Sequence, residues 1–191
     1  MKAILKTVIL IIAFLAAPAT YVALKWSAAE RVSSASHRND TIDGIKGLSE
    51  GESVALPTLA NLAGEQVNLS TLKEERLLCV FISGRCSGCT MDAALWNDLQ
   101  AEARKRGVAF YLVDIAETLE ETKRFSSTYK IDHLPILYDP KDEVGQTLRV
   151  EMLPQYILFT RSGEVIHRWD GIRRYDRKTG AAELARFFQP H

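Results

Sequence analysis

An unbroken apolar run that leads directly into a pair of cysteines constrains this chain more than any other feature. Residues 77–83 read Leu-Leu-Cys-Val-Phe-Ile-Ser, and Cys86 and Cys89 follow after only two more residues. A short run of this apolarity is typical of a strand that is buried on both faces of a sheet. The run therefore predicts a central strand, and the cysteines are expected where the chain turns into the next helix.

The context of Cys86 and Cys89 favours redox chemistry. A thiol at the start of a helix gains from the unpaired backbone N–H groups and the dipole there, which stabilise the thiolate, and Arg85 adds a neighbouring positive charge. Cys86 is therefore the predicted nucleophile. The two-residue spacing lets Cys89 reach Cys86 across one helical turn, so that Cys89 can resolve a mixed disulfide formed at Cys86.

A CxxC pair can also supply two of the four ligands of a structural zinc ion, but a second pair is then needed. The chain has three cysteines, and the third, Cys79, lies within the apolar run, where it is predicted to pack in the core. The four histidines are scattered without ligand spacing: His37, His133, His167 and His191. We therefore predict no metal site and no cofactor.

The amino terminus predicts export. Lys2 and Lys6 precede residues 7–24, which carry no charge and form a stretch just long enough to span a bilayer with its amino end in the cytoplasm. We expect a signal anchor over residues 1–25. A cleaved signal peptide is the alternative, because Ala17-Pro18-Ala19 offers small residues at the spacing of a cleavage site. Both readings place the remainder of the chain outside the cytoplasm.

Composition divides the rest of the chain into two parts. Residues 26–50 have little periodicity and read as a linker, and residues 51–191 suffice for one domain. The formal net charge is zero, and removing the three lysines of residues 1–25 leaves a small acidic excess. No basic stripe indicates a nucleic-acid partner.

Hydrophobic periodicity and turn residues predict alternating strands and helices. The predicted strands are 54–59, 66–69, 77–83, 108–113, 135–139, 155–160 and 164–169. The predicted helices are 89–106, 118–129, 143–150 and 178–188, with one helical turn at 70–73. This order implies an α/β sandwich with a mixed central sheet.

The succession of buried strand, Cys86 and Cys89, helix, strand and helix, with Leu153-Pro154 immediately before another strand, resembles the thioredoxin fold. It is most similar to the TlpA-like, membrane-anchored thiol:disulfide oxidoreductases. The resemblance covers roughly residues 53–188, and residues 56–70 resemble the extra amino-terminal hairpin of that family. It implies a thioredoxin-like fold, with a mixed sheet flanked by helices, behind one transmembrane or signal helix.

The resemblance also implies roles for particular residues. Pro154 is expected to be cis and, with Leu153, to form part of the substrate site beside the cysteines. Asp92 stands where some reductases of the family carry a glutamate, so it is either a proton relay to Cys89 or a solvated carboxylate of the first helical turn.

The implied setting is the bacterial inner membrane, with a single pass and the catalytic domain in the periplasm. The implied partners are exported proteins with cysteine pairs and a membrane electron donor. Cytochrome c haem attachment and copper-site assembly are the processes that such reductases typically serve.

Two departures from the family pattern leave the direction of electron flow open. Arg85 replaces the usual aromatic residue before the first cysteine, and Ser87-Gly88 lack the proline that is often found inside the pair. An oxidase or isomerase therefore stands beside the expected reductase.

Two other classes of function also remain. A thiol peroxidase of the peroxiredoxin type is one, because Ser83 lies three residues before Cys86, although Cys79 and Val80 stand where a proline is expected. A copper-binding assembly module is the other, with His133 or His167 joining the cysteines.

Overall fold

The computed structural model describes residues 47–115, 117–171 and 188. The predicted anchor at 1–25, most of the predicted linker and all but the last residue of the predicted helix at 178–188 lie outside these residues. None of the helices in this part of the chain has the length and apolarity needed to cross a bilayer.

Seven strands form one mixed sheet. In chain order they are β1 (Thr58–Asn61), β2 (Gln66–Asn68), β3 (Arg76–Ile82), β4 (Val108–Ile115), β5 (Ile136–Asp139), β6 (Gln155–Thr160) and β7 (Val165–Asp170). Their order across the sheet is β2-β1-β5-β4-β3-β6-β7. The central strands β3, β4 and β5 are parallel, whereas β6 and β7 on one side and β1 and β2 on the other pair antiparallel. The mixed sheet and the amino-terminal hairpin are as predicted.

In the described part of the chain, three helices connect the strands: α1 (Ser87–Lys105), α2 (Leu119–Thr128) and α3 (Glu143–Thr147), with a 3-10 turn at Leu69–Thr71. After α1 the chain turns at Gly107, where the positive φ of 62° favours glycine. Thr118 caps α2 through a reciprocal capping box with Glu121. The predicted boundaries of these helices are correct to within about three residues.

The sheet separates two apolar cores, and β3 contributes to both because alternate side chains point to opposite faces. Leu78, Val80 and Ile82 pack on one face with Trp96 and Leu99 of α1. Leu77, Cys79 and Phe81 pack on the other face. Cys79 is 1% exposed, which confirms its predicted role as core packing.

The end of the predicted linker, residues 26–50, includes residues that pack with the domain. Leu48 is 2% exposed and packs in the second core. The backbone N–H of Gly51 donates to Val165, and the N–H of Val165 donates to Glu52, both at 2.8 Å. A single buried leucine within a polar stretch creates no periodicity, so the sequence pattern did not reveal it.

Candidate active site

Cys86 and Cys89 lie at the amino end of α1. Cys86 is the N-cap residue, with an extended backbone, and its Sγ accepts a hydrogen bond from the backbone N–H of Cys89 at 3.1 Å. Its own N–H donates to the carbonyl of Ser83 at 3.1 Å. Both cysteines are free thiols. The strand-to-helix context therefore places the Cys86 sulfur among the unpaired N–H groups of the helix start, as predicted.

The two thiols differ in accessibility. Cys86 is partly exposed, whereas Cys89 is 0% exposed. Burial raises the pKa of the Cys89 thiol well above its ordinary value, and the hydrogen bond with Cys86 and the negative charges of Cys86 and Asp92 raise it further, against an opposing hydrogen bond to the Ser83 backbone. Cys89 is therefore protonated in the reduced state. Only Cys86 can meet a large substrate.

Asp92 is buried beside Cys89. It is 2% exposed, so the solvated alternative considered for this carboxylate is wrong. The hydroxyl of Tyr156 donates to its Oδ2 at 2.6 Å, and the indole N–H of Trp96 donates to the Tyr156 hydroxyl at 3.3 Å. Burial and the Asp92 charge raise the pKa of Tyr156, so the phenol stays protonated and available as a donor.

Sequence reasoning missed Tyr156. The available signal was a hydroxyl-bearing aromatic residue in an otherwise apolar strand, two residues after Pro154. A buried tyrosine usually requires a hydrogen-bond partner.

Leu153 and Pro154 lie at the end of the sheet that carries the cysteines. The peptide bond between them is cis, as predicted. Gln155 pairs with Phe81 across the antiparallel β3–β6 ladder, so Pro154 lies near the end of β3, from which the cysteine loop leaves the sheet. Leu153 is half-buried and packs against the core that contains Cys89. The substrate-binding role of the two residues stays a prediction.

The guanidinium of Arg85 faces two carboxylates. Its Nε lies 3.4 Å from Oε1 of Glu117, and one terminal nitrogen lies 3.3 Å from Oε1 of Glu121. Glu117 is 3% exposed and accepts a hydrogen bond from the Ser83 hydroxyl at 2.7 Å. Sequence reasoning missed Glu117, whose only signal was its position just after β4, the parallel neighbour of β3.

The histidines considered as copper ligands have other partners. A ring nitrogen of His133 lies 2.7 Å from the amide oxygen of Asn97, and one of His167 lies 2.9 Å from Glu50. Within residues 47–115, 117–171 and 188, no group of three or more histidine, cysteine or acidic side chains is arranged to hold a metal ion. The copper module therefore gains no support from this part of the chain.

The mixed sheet, the dithiol at the start of α1 and the cis Leu153–Pro154 bond at the same end of the sheet define a thioredoxin-fold protein with a CxxC site. A model of the AhpC/TSA family matches residues 51–168, and the chain belongs to that family. No curated protein matches the chain significantly.

Solved structures share this fold. One is a Chlorobium tepidum protein assigned as the thiol:disulfide interchange protein DsbE, with 22% identity, a TM-score of 0.62, and coverage of 72% of this chain and 96% of that one. The thioredoxin domain of a thiol-disulfide oxidoreductase from Bacteroides vulgatus has 19% identity, a TM-score of 0.60, and coverage of 74% and 99%. StoA from Bacillus subtilis has 16% identity, a TM-score of 0.59, and coverage of 72% and 100%.

Proposed function

We propose that this protein is an exported thiol:disulfide oxidoreductase that reduces protein disulfides through Cys86 and Cys89. The observation that carries the proposal is the asymmetry of the pair: a partly exposed cysteine at a helix start, with a fully buried cysteine one turn away. Attack by the first thiolate and resolution by the second thiol require this arrangement. The names of the structural neighbours agree with this class of reaction.

The reaction transfers two electrons from the protein to its substrate. The Cys86 thiolate attacks one sulfur of a substrate disulfide, which forms a mixed disulfide and releases the first substrate thiolate. Cys89 then loses its proton and attacks the Cys86 sulfur, which releases the second substrate thiolate and leaves the Cys86–Cys89 disulfide. An external dithiol reductant returns the pair to the free thiols.

Asp92 is the group that we propose takes the Cys89 proton. Because burial keeps Cys89 protonated, the resolving step needs a base, and the buried Asp92 carboxylate raises the pKa of Cys89 through its charge. The hydrogen bond from Tyr156 holds that carboxylate in place. The same group would return the proton to Cys89 when the exchange runs in reverse, so this role belongs to thiol:disulfide exchange in either direction.

Turnover with a disulfide substrate tests the proposal. The full-length protein, supplied with a dithiol reductant, is expected to accelerate the reduction of insulin disulfides. Cys86→Ser should abolish the acceleration, and Cys79→Ser should preserve it because Cys79 lies in the core. Failure of the unmodified protein to reduce insulin or any other disulfide peptide faster than the reductant alone would reject the reductase.

A thiol peroxidase is the second candidate, and the AhpC/TSA family match is the observation that favours it. The Ser83 hydroxyl weakens this candidate, since it donates its single proton to Glu117 at 2.7 Å and has none left for Cys86 or a peroxide. Hydrogen peroxide consumption separates the two functions. A rapid loss of peroxide coupled to Cys86 oxidation would favour the peroxidase.

Export, the inner-membrane anchor and partners with cysteine pairs are further parts of the proposal. They are supported by the apolar residues 7–24 behind two lysines and by the resemblance to membrane-anchored oxidoreductases. A membrane electron donor would supply the reductant in this setting.

A further inference from the structure

The loop between β3 and α1 contains a cation directly beside the nucleophile. Arg85 precedes Cys86 in the chain, and a cation in this position ordinarily stabilises a neighbouring thiolate. The contacts of Arg85 bring two negative charges to its guanidinium instead: Glu117 at 3.4 Å and Glu121 at 3.3 Å. The Arg85 side chain is 72% exposed, whereas the Glu117 side chain is 2% exposed, so the buried carboxylate is the fixed member of the pair.

The Glu117 carboxylate is tied to the loop between β3 and α1 by a hydrogen bond. It accepts the Ser83 hydroxyl proton at 2.7 Å, and the same hydroxyl oxygen accepts the backbone N–H of Arg85 at 3.2 Å. The carbonyl of Ser83 accepts the backbone N–H of Cys86 at 3.1 Å. The Glu117 carboxylate thus contacts the Arg85 guanidinium directly and is linked to the Arg85 backbone through the Ser83 hydroxyl.

Glu121 supplies a permanent second negative charge. Hydrogen bonds from the backbone N–H and the hydroxyl of Thr118 lower the pKa of Glu121 to about 2, and the Arg85 guanidinium contributes to the same shift. Asp114 is a third acid near these two glutamates: burial raises the pKa of Asp114, and the charges of Glu117 and Glu121 raise it further. The charge environment around Arg85 is therefore acidic.

We propose that Glu117 is a positioning residue which, together with Glu121, engages the Arg85 guanidinium and withholds its positive charge from the Cys86 thiolate. The inference rests on the proposed function, in which Cys86 is the nucleophile. Arg85 then contributes little to the stability of the Cys86 thiolate, although its place in the sequence predicts a stabilising effect. A less stabilised thiolate makes the dithiol a weaker oxidant, which suits a reductase.

The rate of Cys86 alkylation by iodoacetamide tests the charge effect directly, because this reagent reacts with the thiolate and requires no protein substrate. The rate at Cys86 is followed between pH 5 and 9 in the reduced full-length protein by peptide mass spectrometry. Glu117→Gln keeps an oxygen that can accept the Ser83 proton and removes the charge. We expect it to raise the alkylation rate at pH 6 by about two- to fivefold, the range expected for a partly exposed ion pair.

Glu117→Gln could raise the rate either because it frees Arg85 to act on Cys86 or because it removes a negative charge. A double-mutant cycle separates these two effects. Arg85→Gln alone should change the rate by less than about 1.5-fold, which is below the effect of a single exposed ion pair. In a Glu117→Gln/Glu121→Gln background, the same Arg85→Gln change should slow alkylation by about two- to fivefold. High salt should reduce this difference, because exposed charges are screened.

Two outcomes would overturn the proposal. If Arg85→Gln alone slows alkylation as strongly as it does in the double-glutamine background, Arg85 acts on Cys86 directly and the glutamates withhold nothing. If Glu117→Gln changes the rate equally with and without Arg85, Glu117 acts only through its own charge or through loop structure. Neither result depends on insulin reduction, so failure of the proposed function would be seen separately.

Ser83→Ala serves as the matched structural control. It removes the hydroxyl that ties Glu117 to the loop and leaves every charge in place. If the alkylation rate responds to Ser83→Ala as it does to Glu117→Gln while the double-mutant coupling is absent, loop position rather than charge is responsible, and the proposal is wrong.

Discussion

At the scale of single residues, the buried acids distinguish this site from the surface of an ordinary helix terminus. Asp92, Asp114 and Glu117 are all at most 3% exposed. Asp92 and Glu117 each accept a short side-chain hydrogen bond, whereas Asp114 has only a weak interaction with the Thr122 hydroxyl to offset its burial. A buried carboxylate with few donors is costly when it is ionised. The three acids are therefore expected to respond differently to substitution.

Asp92→Asn is expected to slow the resolving step and to spare the first attack. The amide cannot accept the Cys89 proton, and general bases typically contribute about 10²-fold or more to rates. In rapid-quench experiments with a disulfide peptide, the Cys86 mixed disulfide should accumulate. Tyr156→Phe leaves the carboxylate in place and should have a smaller effect. Equal rates of mixed-disulfide decay in Asp92→Asn and the unmodified protein would show that Asp92 is not the base.

Asp114→Asn should stabilise the protein, and more so at high pH. Burial raises the pKa of Asp114 to about 7, and the charges of Glu117 and Glu121 add to the effect. Because the folded pKa exceeds the unfolded value, the native state loses stability as the pH rises from about 4 to 7. The difference in the free energy of unfolding between Asp114→Asn and the unmodified protein should therefore grow by about 2 kcal/mol between pH 5 and 8.

Urea unfolding at pH 5 and pH 8 measures this difference. The exposed Asp132 provides the control, since Asp132→Asn should change the free energy of unfolding by the same small amount at pH 5 and at pH 8. An Asp114→Asn advantage that shrinks between pH 5 and 8 would contradict the assignment of a raised pKa.

At the scale of elements, the start of each helix explains the local geometry of the site. The Cys86 sulfur caps α1, and Thr118 caps α2 while it also orients Glu121, one of the two partners of Arg85. Apolar periodicity predicted both helices to within two residues, but the predicted start of α1 at residue 89 is two residues late because a cysteine is not a typical capping residue. The contact between Glu121 of α2 and Arg85 of the cysteine loop was not predictable from the sequence.

Thr118→Ala should lower the free energy of unfolding by about 0.5–2 kcal/mol, because the backbone N–H of Glu121 loses its acceptor. Thermal unfolding in the reduced state measures the loss. Thr128→Ala is the control at the other end of α2, where the hydroxyl donates to the carbonyl of Arg124 within the helix. A larger loss in Thr128→Ala than in Thr118→Ala would refute the capping role.

At the scale of the whole molecule, the sequence predicted those features that are determined by residues close to one another in the chain. The strand pattern, the CxxC at the helix start, the cis Leu153–Pro154 bond and the burial of Cys79 all follow from local pattern or from the family resemblance. The contacts that complete the site join distant residues: Tyr156 reaches Asp92 across 64 positions, and Ser83 reaches Glu117 across 34. Such pairs have no local signature and emerge only when β6 and β4 take their places beside β3.

The proposed membrane attachment is also tested on the whole chain. Because residues 7–24 carry no charge and follow two lysines, we expect cell fractionation to leave the protein in the membrane pellet after a carbonate wash. Replacing two apolar residues near the centre of this stretch by arginine should release it. A soluble exported form with a new amino terminus near Thr20 would establish cleavage instead.

The central claim is that Cys86 attacks and Cys89 resolves, and trapping of the mixed disulfide tests it most directly. Cys89→Ser should form a stable mixed disulfide with a disulfide-containing peptide, and mass spectrometry should place the link on Cys86. Cys86→Ser should form none under the same conditions, because the remaining thiol of the pair is 0% exposed and protonated. Stable mixed disulfides on Cys89 in Cys86→Ser, with none on Cys86 in Cys89→Ser, would contradict the account.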